Sequence, residues 1–233
     1  MLRIKRASER GLTQIDWLES YHSFSFGEYY DPANIHFGPL RVMNDDRVAP
    51  AGGFPYHQHR DMEIITYVMD GALEHKDSTG TNEVIRSNDV QKMSAGRGIM
   101  HSEFNHSKTE PVHFFQIWIV PDRRGLEPAY EQLHFTKEMR ENKMLKVATN
   151  KGDDNTIYVS QDVEMFISNL KSGKSLNVDV ESGRSIYLHV AEGKVSVDGN
   201  VLSTGDAVEI TSESSFQISA DQESELIMFD LKQ

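Results

Sequence analysis

Apolar and polar positions alternate with a period of two along most of the chain. Val195-Ser196-Val197, Val208-Glu209-Ile210 and Phe216-Gln217-Ile218 each follow it, and Leu226-Ile227-Met228-Phe229 is a short apolar run. Successive side chains of an extended chain leave opposite faces, so this period predicts short strands with one face buried. Turn formers separate them: Asp70-Gly71, Ser87-Asn88-Asp89, Asp198-Gly199-Asn200 and Thr204-Gly205-Asp206. Many short strands between such turns predict an all-β sandwich or barrel. One helix is predicted, from Pro128 to Leu133, because proline suits a first helical turn. From about Phe135 to Gly152 charge rises and apolar density falls. That places a boundary between domains of residues 1–135 and 136–233. The pattern Asp70-Gly71-Ala72-Leu73, then Asn88-Asp89-Val90, recurs as Glu192-Gly193-Lys194-Val195, then Gly205-Asp206-Ala207. Two domains of one kind are therefore expected.

Composition excludes several functions. A chain of 233 residues can bury a full core without staples. Its 24 Lys and Arg against 36 Asp and Glu give a formal charge of −12, which repels a phosphate backbone. The nearest approach to a basic stripe is Lys5-Arg6, so no direct contact with nucleic acid is expected. The absence of cysteine rules out disulfides, Cys-ligated zinc or iron–sulfur sites, and a thiol nucleophile. No apolar stretch reaches the length of a membrane span, and Met1 to Arg6 run into polar residues without an apolar signal region. A soluble cytoplasmic protein is expected.

The chemistry concentrates in two short segments. In His57-Gln58-His59 the imidazoles stand one pleat apart and leave the same face of a strand. His101-Ser102-Glu103 has the same parity. If these strands neighbour each other across a barrel interior, three imidazoles and a carboxylate converge. Nitrogen donors with one hard oxygen suit a divalent first-row metal, and Fe(II), Mn, Ni, Cu and Zn all fit. Glu63 shares parity with His59 and is a rival fourth ligand, or else an orienting partner of a ligand imidazole. Gly96-Arg97-Gly98 before the second segment permits a tight turn into the interior. His22, His36, His75, His106, His113, His134 and His189 read as surface or hydrogen-bonded core residues. So do most of the aromatics, among them Phe24, Phe26, Phe37, Phe54, Phe104, Phe115 and Trp118.

These residues resemble a known family. Gly53 to Glu63, followed by Gly71, is similar to the first cupin motif, and Gly98 to Asn105 to the second. A closer resemblance is to the pirin family of that superfamily. It is carried by Ser23 to Pro32, Leu40 to Asp46, His57 to Ile64, Ser94 to Glu103 and Gln116-Ile117-Trp118. The resemblance implies a bicupin: two jelly-roll β-barrels in one chain, with metal in the N-terminal barrel only. It implies His57, His59, His101 and Glu103 as metal ligands, favouring Glu103 over Glu63, with Fe(II) first among the ions. It further implies flavonol 2,3-dioxygenase activity on quercetin-like aromatics with dioxygen; for that reaction Glu103 is the candidate base for the hydroxyl proton. The alternative it carries is an iron-dependent, redox-sensing regulator that binds a protein partner without turnover. A shift by the first-turn offset puts Asp179 and Glu181 opposite His57 and His59. No His-x-His survives there, so the second barrel is expected to be metal-free. A monomer is expected, because the second barrel covers one face of the first.

Overall fold

Alternation along the chain becomes alternation of burial in the fold. Outward and buried positions take strict turns over Ala72–Asp77 and Lys194–Val197, whereas Glu63–Asp70 and Asp89–Ser94 are buried nearly throughout. The computed structural model describes residues 1–152 and 155–232. Its strands are β1 Leu2–Lys5, β2 Gly11–Ile15, β3 Leu18–His22, β4 Leu40–Val48, β5 Gly53–His59, β6 Glu63–Asp70, β7 Ala72–Asp77, β8 Asn82–Arg86, β9 Asp89–Ser94, β10 Ile99–Asn105 and β11 Val112–Ile119. There follow β12 Ala129–His134, β13 Leu145–Thr149, β14 Ile157–Tyr158, β15 Val163–Leu170, β16 Ser175–Asp179, β17 Arg184–Glu192, β18 Lys194–Val197, β19 Asn200–Ser203, β20 Ala207–Thr211, β21 Ser215–Ala220 and β22 Ser224–Lys232.

Two compact units result. One comprises Arg10–His134 and Ile157–Gln161; the other comprises Met1–Glu9, Phe135–Thr156 and Asp162–Gln233. The first unit has a large sheet in the order β12-β9-β6-β11-β4-β3-β2 and a small sheet in the order β5-β10-β7-β8. Leu18, Val48, Val112 and Phe114 of the large sheet pack with Leu73 and Ile85 of the small one. In the second unit β1-β20-β17-β22-β15-β13 form the large sheet and β16-β21-β18-β19 the small one. The order β9-β6-β11-β4 of one unit is the order β20-β17-β22-β15 of the other, and the small sheets correspond strand for strand. The repeated turn pattern therefore marks a repeated topology. Its first turn places Gly71 and Gly193 at φ 80° and 93°. A Cβ at either glycine would strike a backbone carbonyl, of Pro111 or of Glu223.

The structure differs from the sequence-based expectation at three points. The segment expected as a helix is strand β12, paired residue by residue with β9. Six residues are too few for a stable isolated helix, and the edge of the sheet offers them backbone partners. Side chains reinforce that pairing: Lys92 Nζ to Glu131 at 2.9 Å and Gln132 Nε2 to Asp89 at 2.9 Å. The chain also does not divide once at residue 135. Residues 1–9 join the second unit, where Leu2–Lys5 pair with β20. Residues 157–161 join the first, where Ser160 N donates to Glu63 and Gln161 Nε2 to Val120 O.

Finally, the register of the second barrel is one residue off the simple offset. Leu73 faces Asn105 in the first unit and Val195 faces Ala220 in the second. Counting back from these pairs, Glu103 and His101 correspond to Ile218 and Phe216. Their partners on β16 are Leu176 and Val178, not Asp179 or Glu181. The donor positions of one barrel are apolar core in the other.

Candidate metal centre

Strand pairing brings the two histidine segments together. His101 on β10 lies directly opposite His57 on β5, and Ile99 opposite His59. The ligand nitrogens of His57, His59 and His101 lie within 4.8 Å of one another, with ring centroids 4.4–4.9 Å apart. His101 and Glu103 form an overlapping group with His75 within the same limit. The register slips between His101↔His57 and Glu103↔Phe54. Three residues of β5 thus span two of β10, a bulge at Pro55-Tyr56. A proline, which cannot donate to a ladder, is tolerated in such a place. The bulge leaves Pro55 O free to accept from His57 Nδ1 at 2.8 Å, which turns Nε2 of that ring toward the cluster.

His101 is oriented from behind. Asp77 Oδ1 accepts from Thr79 N, Thr79 Oγ1 and Thr81 N, while Oδ2 lies 3.1 Å from His75 Nε2. With His75 Nε2–H donating to Asp77, its Nδ1 is an acceptor, 3.5 Å from His101 Nδ1. That assigns the His101 proton to Nδ1 and leaves Nε2 as the lone-pair nitrogen. Nε2 of His101 is fully buried and has no hydrogen-bond partner among the described residues. Burial, together with the neighbouring imidazoles, depresses His59 to about 4 and His101 to about 3. Orphaned lone pairs on convergent neutral rings are what a divalent ion requires, so the residues present fit a bound metal.

Glu103 is positioned from the facing sheet. Gln116 Nε2 donates to its Oε2 at 2.9 Å and Thr66 Oγ1 to its Oε1 at 3.5 Å. Asn105, two residues on, donates to Val48 O, Ala49 O and Glu110 O and so anchors the end of β10. Gly98 N closes a turn onto Ala95 O ahead of the strand, as the paired glycines suggest.

Glu63 is not part of this group. Asp61, at φ 50°, turns the chain, and parity does not survive a turn. Glu63 points elsewhere: it accepts from Ser94 Oγ at 3.0 Å and lies 4.0 Å from the buried Lys92. Burial raises its pKa, with Lys92 opposing.

The imidazoles open onto a cavity of about 430 Å³. Phe26, Phe54, Ile64 and Trp118 form apolar wall, while Phe24, Phe37 and Phe115 are core. Trp118 stands edge-on to His59 at 4.8 Å and to Phe26 at 5.4 Å. His22, Asn44 and Asp46 line the facing side. His75 and His22 are buried and hydrogen-bonded, as expected, but that expectation does not include their service to the site. His75-Lys76-Asp77 carries the same one-pleat spacing as His57-Gln58-His59 and was legible as a second pair. For His22, only the strand register shows which cavity it faces.

Comparison with known proteins agrees with this architecture. Residues 3–119 match the family model of pirin, and residues 146–231 match that of the quercetinase C-terminal cupin domain. The chain is 41% identical over 231 residues to a quercetin 2,3-dioxygenase of Escherichia coli K12, covering 99% of both chains. The crystal structure of the E. coli bacterial pirin YhhW in complex with nickel(II) superposes with a TM-score of 0.95 at 39% identity, over 100% of this chain and 99% of that one. An Acinetobacter baumannii quercetin 2,3-dioxygenase shares the fold, with a TM-score of 0.76 at 20% identity over 95% of this chain and 83% of that one. The two cupin barrels, the order of their strands and the likeness along the whole chain together make this protein a member of the pirin family.

Proposed function

We infer that the protein is a metal-dependent dioxygenase that opens flavonols such as quercetin, with His57, His59, His101 and Glu103 as its metal ligands. The observation that carries this reading is the convergence of three imidazoles, one with a sealed and unpartnered lone pair, on a cavity sized for a small aromatic. The quercetin 2,3-dioxygenase of E. coli, 41% identical, supports the substrate class. When bound, the ion held by these residues would supply Lewis acidity toward the substrate's enol oxygen and, if redox-active, an electron path to dioxygen. We propose Fe(II) for that role; the nickel(II) complex of YhhW supports a divalent ion at this fold.

The chain's own residues supply position, dryness and proton transfer. Pro55 and His75 hold His57 and His101 in the tautomers that present Nε2. Glu103 accepts the proton of the flavonol 3-hydroxyl, held for the task by Gln116 and Thr66. Trp118, Phe26 and Ile64 keep bulk water from the reacting ring. Overall, a flavonol and one dioxygen give a depside and carbon monoxide, so both oxygen atoms enter products and no external reductant is consumed. The setting we propose is the cytoplasm, with the protein a monomer that takes an aromatic substrate and dioxygen and no nucleic acid. Among the described residues no helix is long and apolar enough to cross a membrane.

Oxygen uptake with quercetin, measured on protein loaded with each metal and on His101→Ala, tests the reading. Uptake stoichiometric with quercetin loss in the loaded protein, and neither metal nor uptake in His101→Ala, is expected. Equal turnover in metal-stripped His101→Ala overturns it.

A further inference from the structure

The cavity has a second polar face that the reaction as described does not use. It lies on the large sheet, across from the small sheet that carries the imidazoles. Ser20 and His22 on β3, and Asn44 and Asp46 on β4, are all 2–3% exposed and line the same cavity. Strand register explains their common direction. Ser20 faces Asp46 and His22 faces Asn44 across the β3–β4 ladder, and Asn44 faces Gln116 across β4–β11. All therefore share the face from which Gln116 reaches Glu103.

The hydrogen bonds on this face leave a defined remainder. Burial, the largest effect, keeps His22 neutral. Its Nδ1 lies 2.9 Å from Asn44 Oδ1 and its Nε2 lies 2.8 Å from Thr13 Oγ1. Nδ1–H then donates to Asn44, and Nε2 accepts from Thr13. Ser20 Oγ donates to Asp46 Oδ1. Two groups remain without a partner among the described residues: the amide NH₂ of Asn44 and the second carboxyl oxygen of Asp46. Burial pushes the Asp46 carboxyl up to about 8 against the Ser20 bond, with the charges of Asp45 and Glu103 adding to the rise. Held neutral, the carboxyl offers a donor at this point, and charged it offers an acceptor; a hydroxyl on the ligand can meet either. Once a ligand displaces water from the cavity these two groups lose their partners unless it supplies them, so the wall selects for a ligand that satisfies both.

We propose that Asn44 and Asp46 form a polar subsite that binds an oxygen substituent, hydroxyl or carbonyl, on the part of the aromatic substrate lying against the large sheet. Rigid placement by His22 and Ser20 makes the subsite a discriminator between polyhydroxylated flavonols and bare ones. It deepens, and rests on, the flavonol reading of the imidazole site. Phe26, Phe54 and Trp118 would hold the ring plane between the two polar faces.

The test is anaerobic binding to the metal-loaded protein, followed by quenching of tryptophan fluorescence. The probes are quercetin and 3-hydroxyflavone, which keeps the metal-directed 3-hydroxyl and 4-carbonyl but lacks the other hydroxyls. Wild type is expected to prefer quercetin by about tenfold or more, the range of one or two satisfied hydrogen bonds. Asn44→Ala and Asp46→Ala should each bring the two dissociation constants to within about threefold. Asp46→Asn, which keeps the shape and hydrogen-bonding atoms of the side chain, should retain the preference. An unchanged preference in both alanine variants, or equal binding of the two probes by wild type, overturns the subsite and leaves the flavonol reading standing. Wild-type protein that binds neither probe overturns the flavonol reading, and the subsite with it. Should an alanine variant not fold, the preference of Asp46→Asn against wild type and the other alanine variant decides.

Discussion

At the scale of single residues, metal affinity at this site depends on which ring nitrogen carries the proton. His101 presents Nε2 only while Nδ1–H is held toward His75, and His75 can accept that bond only while Asp77 takes its own proton. Removing such an orienting partner costs about 10–100-fold in metal affinity in comparable sites. His75→Ala is expected to lower affinity by that range in a chelator competition, with the fold intact by circular dichroism. His75→Gln, which can accept and donate at similar places, should recover part of the loss. An alanine variant with wild-type affinity would show that His101 needs no such support. The same rings set a pH dependence in the metal-free protein. Burial holds His59 at about 4 and His101 at about 3, whereas both titrate near 6.5 in the unfolded chain. Between those values the unfolded state binds more protons, so stability falls as pH drops from about 6.5 toward 4. The urea midpoint of metal-free protein should be lower at pH 5 than at pH 7, and the drop should be smaller in His59→Phe. A drop of equal size in that variant would remove His59 from the account.

At the scale of elements, the site depends on how closely β5 and β10 approach. A Cβ on Gly53 would collide with the carbonyl of Glu103 and lie 2.5 Å from Phe104 Cα. Gly53→Ala should therefore push the strands apart at the residue that holds Glu103, costing about 1–3 kcal/mol in the way overpacked sites do. It should weaken metal binding as well as the fold; a loss of stability with unchanged metal affinity would separate the strand contact from the site. This contact also shows what was legible beforehand. His57, His59, His101 and Glu103 could be paired because each pair obeys a local period of two, and Gly98 and Asn105 bracket the second pair. Glu63 obeyed the same arithmetic and was misleading, because Asp61 turns the chain between it and His59. The bulge at Pro55-Tyr56 and the role of His75 follow from register, which no single segment encodes. Strand β12 is hidden in the sequence for a related reason: its preference for strand comes from β9, whose position beside it is a property of the sheet.

At the scale of the whole chain, one topology is built twice, and among the described residues the groups of side chains that could hold a metal lie in the first copy. Phe216 and Ile218, at the positions of His101 and Glu103, are buried in the apolar core of the second barrel. One metal per chain is the expected stoichiometry. The second unit also buries an ion pair. Arg140, 1% exposed, donates from Nη1 to Phe135 O at 2.7 Å and from Nη2 to Glu225 at 2.9 Å. Deleting one partner of a buried pair leaves the other charge uncompensated, at about 3–5 kcal/mol. Arg140→Ala is thus expected to destabilise the second unit by that amount. The chain's two tryptophans, Trp17 and Trp118, both lie in the first unit. Tryptophan fluorescence therefore reads the first barrel, while far-UV circular dichroism reads both. In urea the dichroism curve of Arg140→Ala should shift well below wild type and by more than the fluorescence curve. Metal content per folded molecule should stay at the wild-type value. A variant that lost its metal while keeping its dichroism midpoint would mean that the second barrel does more than fold.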